Sequence, residues 1–245
     1  MKFYLSPLPS PAEQLAGDEA LLDHCESGRG EETLLFWEPR TTFVVVGYAN
    51  AVSTEVNQAA CAAAGVPVFR RCSGGGTVLQ GVGCLNYALV LQIREDGPLR
   101  SITSANRFIM ERNRAAIETL FPGSPPSASR ITVRGHTDLC LGDLKFSGNS
   151  QRRKKNFLLF HGSILLDFPL ARVSELLPMP SLQPEYRARR RHDEFLINLH
   201  RPAAQVQDAL RAAWNADEPL QGFPEFEVRQ LAAEKYSTAE WNLKL

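Results

Sequence analysis

The sequence lacks net charge, because 27 lysines and arginines are balanced by 27 aspartates and glutamates. No overall field therefore favours nucleic acid or an anionic membrane as partner. The chain also lacks an apolar run as long as a membrane span, and Met1 to Leu5 leads directly into Ser6-Pro7 without a signal-peptide core. We expect a cytoplasmic protein with no nucleic-acid partner and no membrane partner.

Paired cysteines are missing as well. The five cysteines form no C-x-x-C pair and their number is odd; they are Cys25, Cys61, Cys72, Cys84 and Cys140. This pattern argues against a disulfide framework and against a zinc site built on paired thiolates. We expect free thiols and no metal site.

One stretch organises the chain: Arg70 to Tyr87, which reads RRCSGGGTVLQGVGCLNY. It connects two apolar runs, Val66 to Phe69 and Ala88 to Leu91. Consecutive glycines allow the backbone to approach an anionic or acyl ligand and to direct N–H groups at phosphate oxygens, and arginine adds bidentate charge. Composition alone is equally consistent with a glycine-rich hairpin that has a solvated basic end.

The complete string is more specific than its parts. RRCSGGGTV followed by LNY resembles the RRxSGGGAV…LNY signature of the lipoate-protein ligase and octanoyltransferase family. Gly142 to Asp167 resembles the second signature of that family, G-x-K-x-x-G-x-A-Q followed by H-G-[ST]-x-L. Glu234 to Asn242 resembles its third. The three matches occur in the family's order and cover most of the chain.

The resemblance implies a single catalytic domain over residues 1–245, with no C-terminal accessory domain, so that a separate accessory subunit could supply that function. The implied fold is α/β (α+β): a mixed, mostly antiparallel sheet with flanking helices and a smaller second sheet, like class II biotin/lipoate ligases. Repeated hairpins and few strand–helix–strand alternations favour the same fold over a doubly wound parallel sheet.

The implied function is that of a lipoate-protein ligase. Such an enzyme uses ATP and Mg²⁺ to convert lipoate, or a similar medium-chain acid, into an acyl-adenylate and transfers the acyl group to a lysine of a lipoyl-type carrier domain. The resemblance makes Lys145 the catalytic residue, in contact with the acyl carbonyl and the α-phosphate. A fixed cation there stabilises the negative charge that develops in the transition state.

The other residues of the matched strings become candidates for substrate and nucleotide binding. They are Arg70, Arg71, Ser73, Gly74, Gly75, Gly76, Thr77, Asn86, Asp138, Ser147, Gly148, His161 and Gly162. Two departures affect this assignment. Gln80-Gly81 replaces the histidine-aspartate that the family commonly has, and Gly83-Cys84 replaces a glycine-asparagine.

Two alternatives remain open. The first is an octanoyl or lipoyl transferase that takes the acyl group from an acyl-carrier donor onto a cysteine thioester. The family's cysteine would fall near Arg130, where this chain has none, so Cys72, Cys84 and Cys140 are the candidate nucleophiles. The second is a non-catalytic binder of acyl-adenylate or of lipoyl domains, which the two departures favour.

Two basic clusters, Arg152 to Lys155 and Arg187 to Arg191, fit either solvated turns or a rim that steers an acidic carrier domain. The remaining pattern predicts local structure. A capping box at Ser10 to Glu13 begins a helix that serves as scaffold. Further expectations are strands at Thr33–Trp37 and Thr41–Val46, and helices at Glu55–Ala64, Ile102–Phe121, Pro202–Trp214 and Pro224–Leu245.

Overall fold

The computed structural model describes residues 1–122 and 130–245. The strands are β1 (Lys2–Leu5), β2 (Thr33–Trp37), β3 (Phe43–Val46), β4 (Val68–Arg70), β5 (Val78–Gln80), β6 (Cys84–Gln92), β7 (Ile131–Arg134), β8 (Asp138–Leu141), β9 (Leu144–Arg153), β10 (Phe157–Leu165) and β11 (Glu218–Pro219). The α-helices are α1 (Pro11–Glu26), α2 (Val52–Glu55), α3 (Gln58–Ala63), α4 (Ile102–Glu118), α5 (Ala171–Leu176), α6 (His192–Phe195), α7 (Ala203–Trp214), α8 (Glu225–Leu231) and α9 (Ala239–Asn242). A 3₁₀ turn covers Glu185–Arg187 and a π-helical turn covers Ala232–Tyr236.

The strands form two sheets. The larger has the order β11-β1-β2-β6-β10-β9-β8-β7, and the smaller has the order β4-β3-β5. In the larger sheet, β1 runs parallel to β11 and β2, whereas every other neighbouring pair is antiparallel. In the smaller sheet, β3 is parallel to β4 and antiparallel to β5. The predicted mixed, mostly antiparallel fold with a second sheet is confirmed.

The central strands are buried on both faces, which explains their continuous apolar sequences. Leu34 and Phe36 of β2 pack with α4 and α7 on one side of the sheet. Leu35 and Trp37, which alternate with them, pack with α1 and α8 on the other. A third cluster joins the small sheet to α5. The sheet is therefore the middle layer between two sets of helices.

Local signals explain where α1 begins. Ser10 Oγ accepts a hydrogen bond from Glu13 N, and Ser10 N donates to Glu13 Oε2, each at 3.2 Å. The predicted capping box is thus confirmed, with Pro11 at the first helical position. Its apolar residues face the core as expected.

Other helices differ from the expectation. Glu55–Ala64 is not one helix, because α2 ends at Glu55 and Asn57 caps α3 through a hydrogen bond from Ala60 N. The closing stretch divides into α8, the π-helical turn and α9. The proline- and serine-rich stretch Pro122–Ser129, whose composition predicts a loop, lies mostly outside the described residues. Among the residues that are described, no helix has the length and apolarity needed to cross a bilayer.

Candidate functional site

A cavity of about 770 Å³ lies between the two sheets. Apolar side chains of α1, the strands and the segment after α5 line part of it, including Leu15, Trp37, Val45, Leu165 and Leu177. The structure brings most of the predicted site residues to this cavity. They are Arg71, Gly75, Gly76, Thr77, Asn86, Asp138, Lys145, Ser147, Gly148, His161 and Gly162.

Lys145 lies at one end of this site near the start of β9. Its Nζ is 2.8 Å from Asp138 Oδ1, and Tyr186 donates its hydroxyl proton to Asp138 Oδ2 at 2.7 Å. A bulge between β8 and β9 sets the register that brings the two charged side chains together. Because 24% of the Lys145 side chain is exposed, the ammonium is positioned by Asp138 and still reachable by a ligand.

Gly148 leaves room for that ammonium. A Cβ at position 148 would lie 2.8 Å from Lys145 Nζ. Glycine at this position of the matched string is therefore explained by the space that the Lys145 side chain needs.

Arg71 organises the glycine-rich loop. Its guanidinium donates to the carbonyl oxygens of Gly74 at 2.6 Å and Gly76 at 2.7 Å, and Gly75 takes a left-handed φ of +87°. Burial lowers the pKa of Arg71 to about 10. In the part of the chain that the structure describes, no carboxylate forms an ion pair with Arg71, so its charge is available to an anionic ligand.

Arg70 is not part of the cavity wall. Adjacent residues of a strand point to opposite sides, and Arg70 points away from the cavity into full burial. It donates to the carbonyl oxygens of Gly47 and Asn50 at 2.8 Å each and of Trp241 at 3.1 Å. The structure therefore gives it the role of a clamp between the turn after β3 and the C-terminal segment. Ser73, which is buried, and Gly74, which is exposed, do not line the cavity either.

Gln80, one of the two departures, faces the cavity with Asn86 and Ser163. Gln80 Nε2 donates to Asn86 Oδ1 at 3.0 Å, Asn86 Nδ2 donates to Gln80 Oε1 at 3.1 Å, and Ser163 Oγ donates to Asn86 Oδ1 at 2.6 Å. The three side chains satisfy one another as a buried polar cluster. The turn from Gly47 to Asn50 does not line the cavity.

The sequence interpretation missed Arg187 and His192. Arg187 is 5% exposed, stacks over Phe195 at 4.6 Å and donates toward His192 Nδ1 at 3.3 Å, while His192 Nε2 donates to Pro178 O at 3.0 Å. Burial lowers the pKa of both Arg187 and His192. Both side chains line the cavity. A run of arginines gives no sequence signal for which one turns inward.

Asp18 was also missed, because α1 was interpreted as scaffold. It lines the cavity and is 3% exposed. A signal was present in the sequence: Asp18 stands three residues after Leu15 and four before Leu22, on the core face of the helix.

Other members of the basic clusters are engaged within the chain. Lys154 pairs with Asp23 and Arg191 with Asp193, Arg153 donates to Leu99 O, Arg190 stacks over Phe195, and Arg152 lies over Tyr48. Steering of a carrier domain by these clusters stays a prediction.

The candidate nucleophiles are placed away from the cavity surface. All five cysteines are buried, and no cysteine is among the lining residues. Burial raises the pKa of Cys72 and of Cys84 to about 12 and also raises that of Cys140. Cys140 donates to the Tyr186 hydroxyl at 3.6 Å, which links it indirectly to Asp138.

Within the described residues, no three His, Cys, Asp or Glu side chains cluster closely enough to hold a metal ion.

Comparison with known proteins identifies the family. Residues 10–210 match the model of the lipoyl protein ligase A/B catalytic domain. The octanoyltransferase LipM of Halalkalibacterium halodurans is 28% identical over 96% of this chain and 95% of its own.

Solved structures are similar over the whole chain. A Thermoplasma acidophilum protein, Ta0514 with bound lipoic acid, has a TM-score of 0.79 and 25% identity over 99% of this chain and 98% of its own. A lipoate-protein ligase A bound with ATP has a TM-score of 0.78 and 25% identity over 99% of both chains. The relatives therefore include proteins named for acyl transfer and for ligation.

Proposed function

Because this chain belongs to the family of lipoyl protein ligase A/B catalytic domains, we propose that it attaches a medium-chain acyl group, lipoyl or octanoyl, to a lysine of a lipoyl-type carrier domain. The observation that carries the proposal is the shared cavity. It joins the Lys145–Asp138 pair and the Arg71 loop to an apolar wall. Such a site suits a molecule with an anionic end and an apolar tail.

The acyl donor in this proposal is an acyl-adenylate made from the free acid and ATP. The carboxylate oxygen attacks the α-phosphorus and pyrophosphate leaves. The carrier amine then forms a bond to the acyl carbon, AMP leaves, and the amine gives up a proton. Lys145, held by Asp138, would stabilise negative charge on the α-phosphate and the acyl oxygen in both steps.

Placement of the thiols supports an adenylate rather than an enzyme thioester. No cysteine lines the cavity, and a thiol with a pKa of about 12, as in Cys72 and Cys84, carries almost no thiolate at neutral pH. Mg²⁺ would bind with the triphosphate, because the described residues offer no ready group of metal ligands.

A second candidate is octanoyl transfer from an acyl-carrier donor without ATP. It is favoured by the curated relatives, such as the one from Halalkalibacterium halodurans, which are named octanoyltransferases. Cys140 is the candidate nucleophile in this version, because Tyr186 connects it by hydrogen bonds to the carboxylate that holds Lys145. It would have to reach the cavity through a movement of Tyr186.

One experiment separates the candidates. The carrier domain is incubated with the chain and either octanoate with ATP and Mg²⁺ or octanoyl-acyl-carrier protein, and its intact mass is measured. We expect octanoylation with octanoate and ATP, lost in Lys145→Ala and kept in Lys2→Ala, whose lysine pairs with Glu218 at the far edge of the sheet. Octanoylation from the acyl-carrier protein alone would favour the second candidate. A carrier that stays unmodified with both donors would contradict both and favour a binding protein.

A further inference from the structure

Three residues far apart in sequence meet beneath the glycine-rich loop. Ser73 Oγ lies 2.5 Å from His161 Nε2, and His161 Nδ1 lies 2.6 Å from Asp18 Oδ2. Asp18 comes from α1, Ser73 from the loop and His161 from the middle of β10. All three side chains are buried.

With a neutral imidazole the hydrogen bonds run in one direction. A carboxylate only accepts, so His161 donates from Nδ1 to Asp18, and its unprotonated Nε2 accepts from the Ser73 hydroxyl. Arg71 Nε in turn donates to Ser73 Oγ at 3.2 Å. An ordered chain of hydrogen bonds thus connects the buried Asp18 carboxylate to the buried Arg71 guanidinium.

Burial of Asp18 is costly for a residue with a purely structural role. Its Oδ1 is buried without a hydrogen-bond partner in the described part of the chain, and no lysine or arginine there pairs with it. An apolar residue at this position would fill the core face of α1 without that penalty. We attribute the presence of a carboxylate at this position to its hydrogen bond with His161.

The order Ser-His-Asp resembles a hydrolase triad, but Ser73 is not placed as a nucleophile. It is 1% exposed, does not line the cavity, and already bonds to both Arg71 and His161. A nucleophilic hydroxyl must reach the acyl carbon. Through Ser73, Asp18 and His161 are instead connected to Arg71 and to the loop carbonyl oxygens that accept hydrogen bonds from Arg71.

We propose that Asp18 and His161 are positioning residues that act through Ser73 to fix Arg71 and the glycine-rich loop, and thereby set the affinity for the acyl substrate. This inference rests on the proposed function of the same cavity. Loss of the chain of hydrogen bonds would remove an acceptor from Arg71 and loosen the loop formed by Gly74, Gly75 and Gly76. The carrier domain would dock as before.

The test is a double-mutant cycle on the full chain with Asp18→Asn, Ser73→Ala and the combination. We expect each single variant to raise KM for octanoate about tenfold or more, the effect of losing one charge-assisted hydrogen bond. KM for the carrier domain should stay within about twofold. Because both residues act through the same chain of hydrogen bonds, KM for octanoate in the combined variant should not exceed the higher of the two single-variant values. Asp23→Asn, on the same helix but paired at the surface with Lys154, is the matched control and should behave as wild type.

Several outcomes would overturn the proposal. They are an unchanged KM for octanoate in Asp18→Asn, additive effects in the combined variant, or a parallel rise of both KM values together with a lower melting temperature. If wild type fails to modify the carrier, the proposed function fails, and octanoate binding measured by calorimetry decides the inference separately. Weaker binding by Asp18→Asn than by wild type supports it, whereas equal affinity or no binding by wild type overturns it.

Discussion

The cationic residues that line the cavity differ in whether a carboxylate lies beside them. Lys145 has a carboxylate, Asp138, at 2.8 Å. Arg71 and Arg187 form no ion pair within the described residues and rest on carbonyl oxygens, a hydroxyl, a ring or a neighbouring histidine. Buried cations without counter-charge are costly to the folded chain. An anionic substrate would recover part of that cost.

The cysteines give the first prediction at the scale of single residues. Replacing Cys72, Cys84 or Cys140 singly by alanine should leave the rate of carrier octanoylation within about threefold, because burial keeps these thiols protonated and off the cavity surface. Rates and melting temperatures are measured together. A variant that loses about a hundredfold at an unchanged melting temperature, with an acyl adduct on that cysteine in the wild-type protein, would contradict the adenylate mechanism.

His192 gives a prediction about pH. Burial lowers its folded pKa below the ordinary value of about 6.5, and the charges of Arg187 and Lys145 act in the same direction, whereas the hydrogen bond to the Pro178 carbonyl and the charge of Asp193 oppose them. As pH falls below about 6.5, the unfolded chain takes up a proton that the folded chain resists. The free energy of unfolding should therefore decrease between about pH 7 and pH 5.

Denaturant unfolding at several pH values checks this. His192→Gln should flatten the pH dependence, whereas His200→Gln, whose side chain is 67% exposed, should not. An identical slope for wild type and His192→Gln would show that other groups cause the dependence.

At the scale of elements, the β9–β10 hairpin and the glycine-rich loop do most of the positioning. At two glycines of the hairpin an added Cβ would come too close to neighbouring atoms, and those atoms differ. A Cβ at Gly148 meets the flexible end of Lys145, whereas a Cβ at Gly162 overlaps the Asn149 side chain and closely approaches a backbone oxygen. Asn149 in turn accepts from the buried Tyr87 hydroxyl at 2.6 Å.

The two glycines therefore predict opposite phenotypes. Gly148→Ala should fold with nearly normal stability but lose about tenfold or more in kcat, because Lys145 must move. Gly162→Ala should be destabilised by about 1–3 kcal/mol, because the overlap involves packed groups. Unfolding curves and octanoylation rates for both variants test the contrast. Equal loss of stability in the two would refute it.

Arg70 gives a second element-scale prediction. It joins the turn after β3 to α9 through five backbone carbonyl oxygens. Lysine keeps the charge but cannot reproduce the planar fork, so Arg70→Lys should lower the free energy of unfolding by on the order of 3 kcal/mol. Arg40→Lys, at an exposed position, is the control. If Arg70→Lys lowers the free energy of unfolding no more than Arg40→Lys does, Arg70 is not a clamp between the turn and α9.

Sequence predicted the elements whose signals are local. The capping box located α1, and β-branched and aromatic runs located β2. The break between α2 and α3 was missed because its signal is one asparagine in an alanine-rich run. Arg70 and Arg71 could not be told apart, because only the three-dimensional position of the strand decides which one faces the cavity.

At the scale of the whole molecule, the cavity depends on contacts that no local pattern contains. Residues near positions 18, 71, 138, 145, 161 and 187 converge on it. Those inside the matched strings were predicted from the family resemblance. Asp18 and Arg187 were not, because their roles follow from how α1 and the segment before α6 pack against the sheets.

Isotope exchange tests, without a carrier domain, whether this cavity activates a medium-chain acid. Labelled pyrophosphate is incubated with ATP, Mg²⁺ and the chain, with and without octanoate. We expect octanoate-dependent incorporation of label into ATP by wild type and a loss of about a hundredfold or more in Lys145→Ala, as for removal of one preorganised charge-stabilising group. Absence of octanoate-dependent exchange in folded wild-type protein, or full exchange in Lys145→Ala, would contradict this expectation.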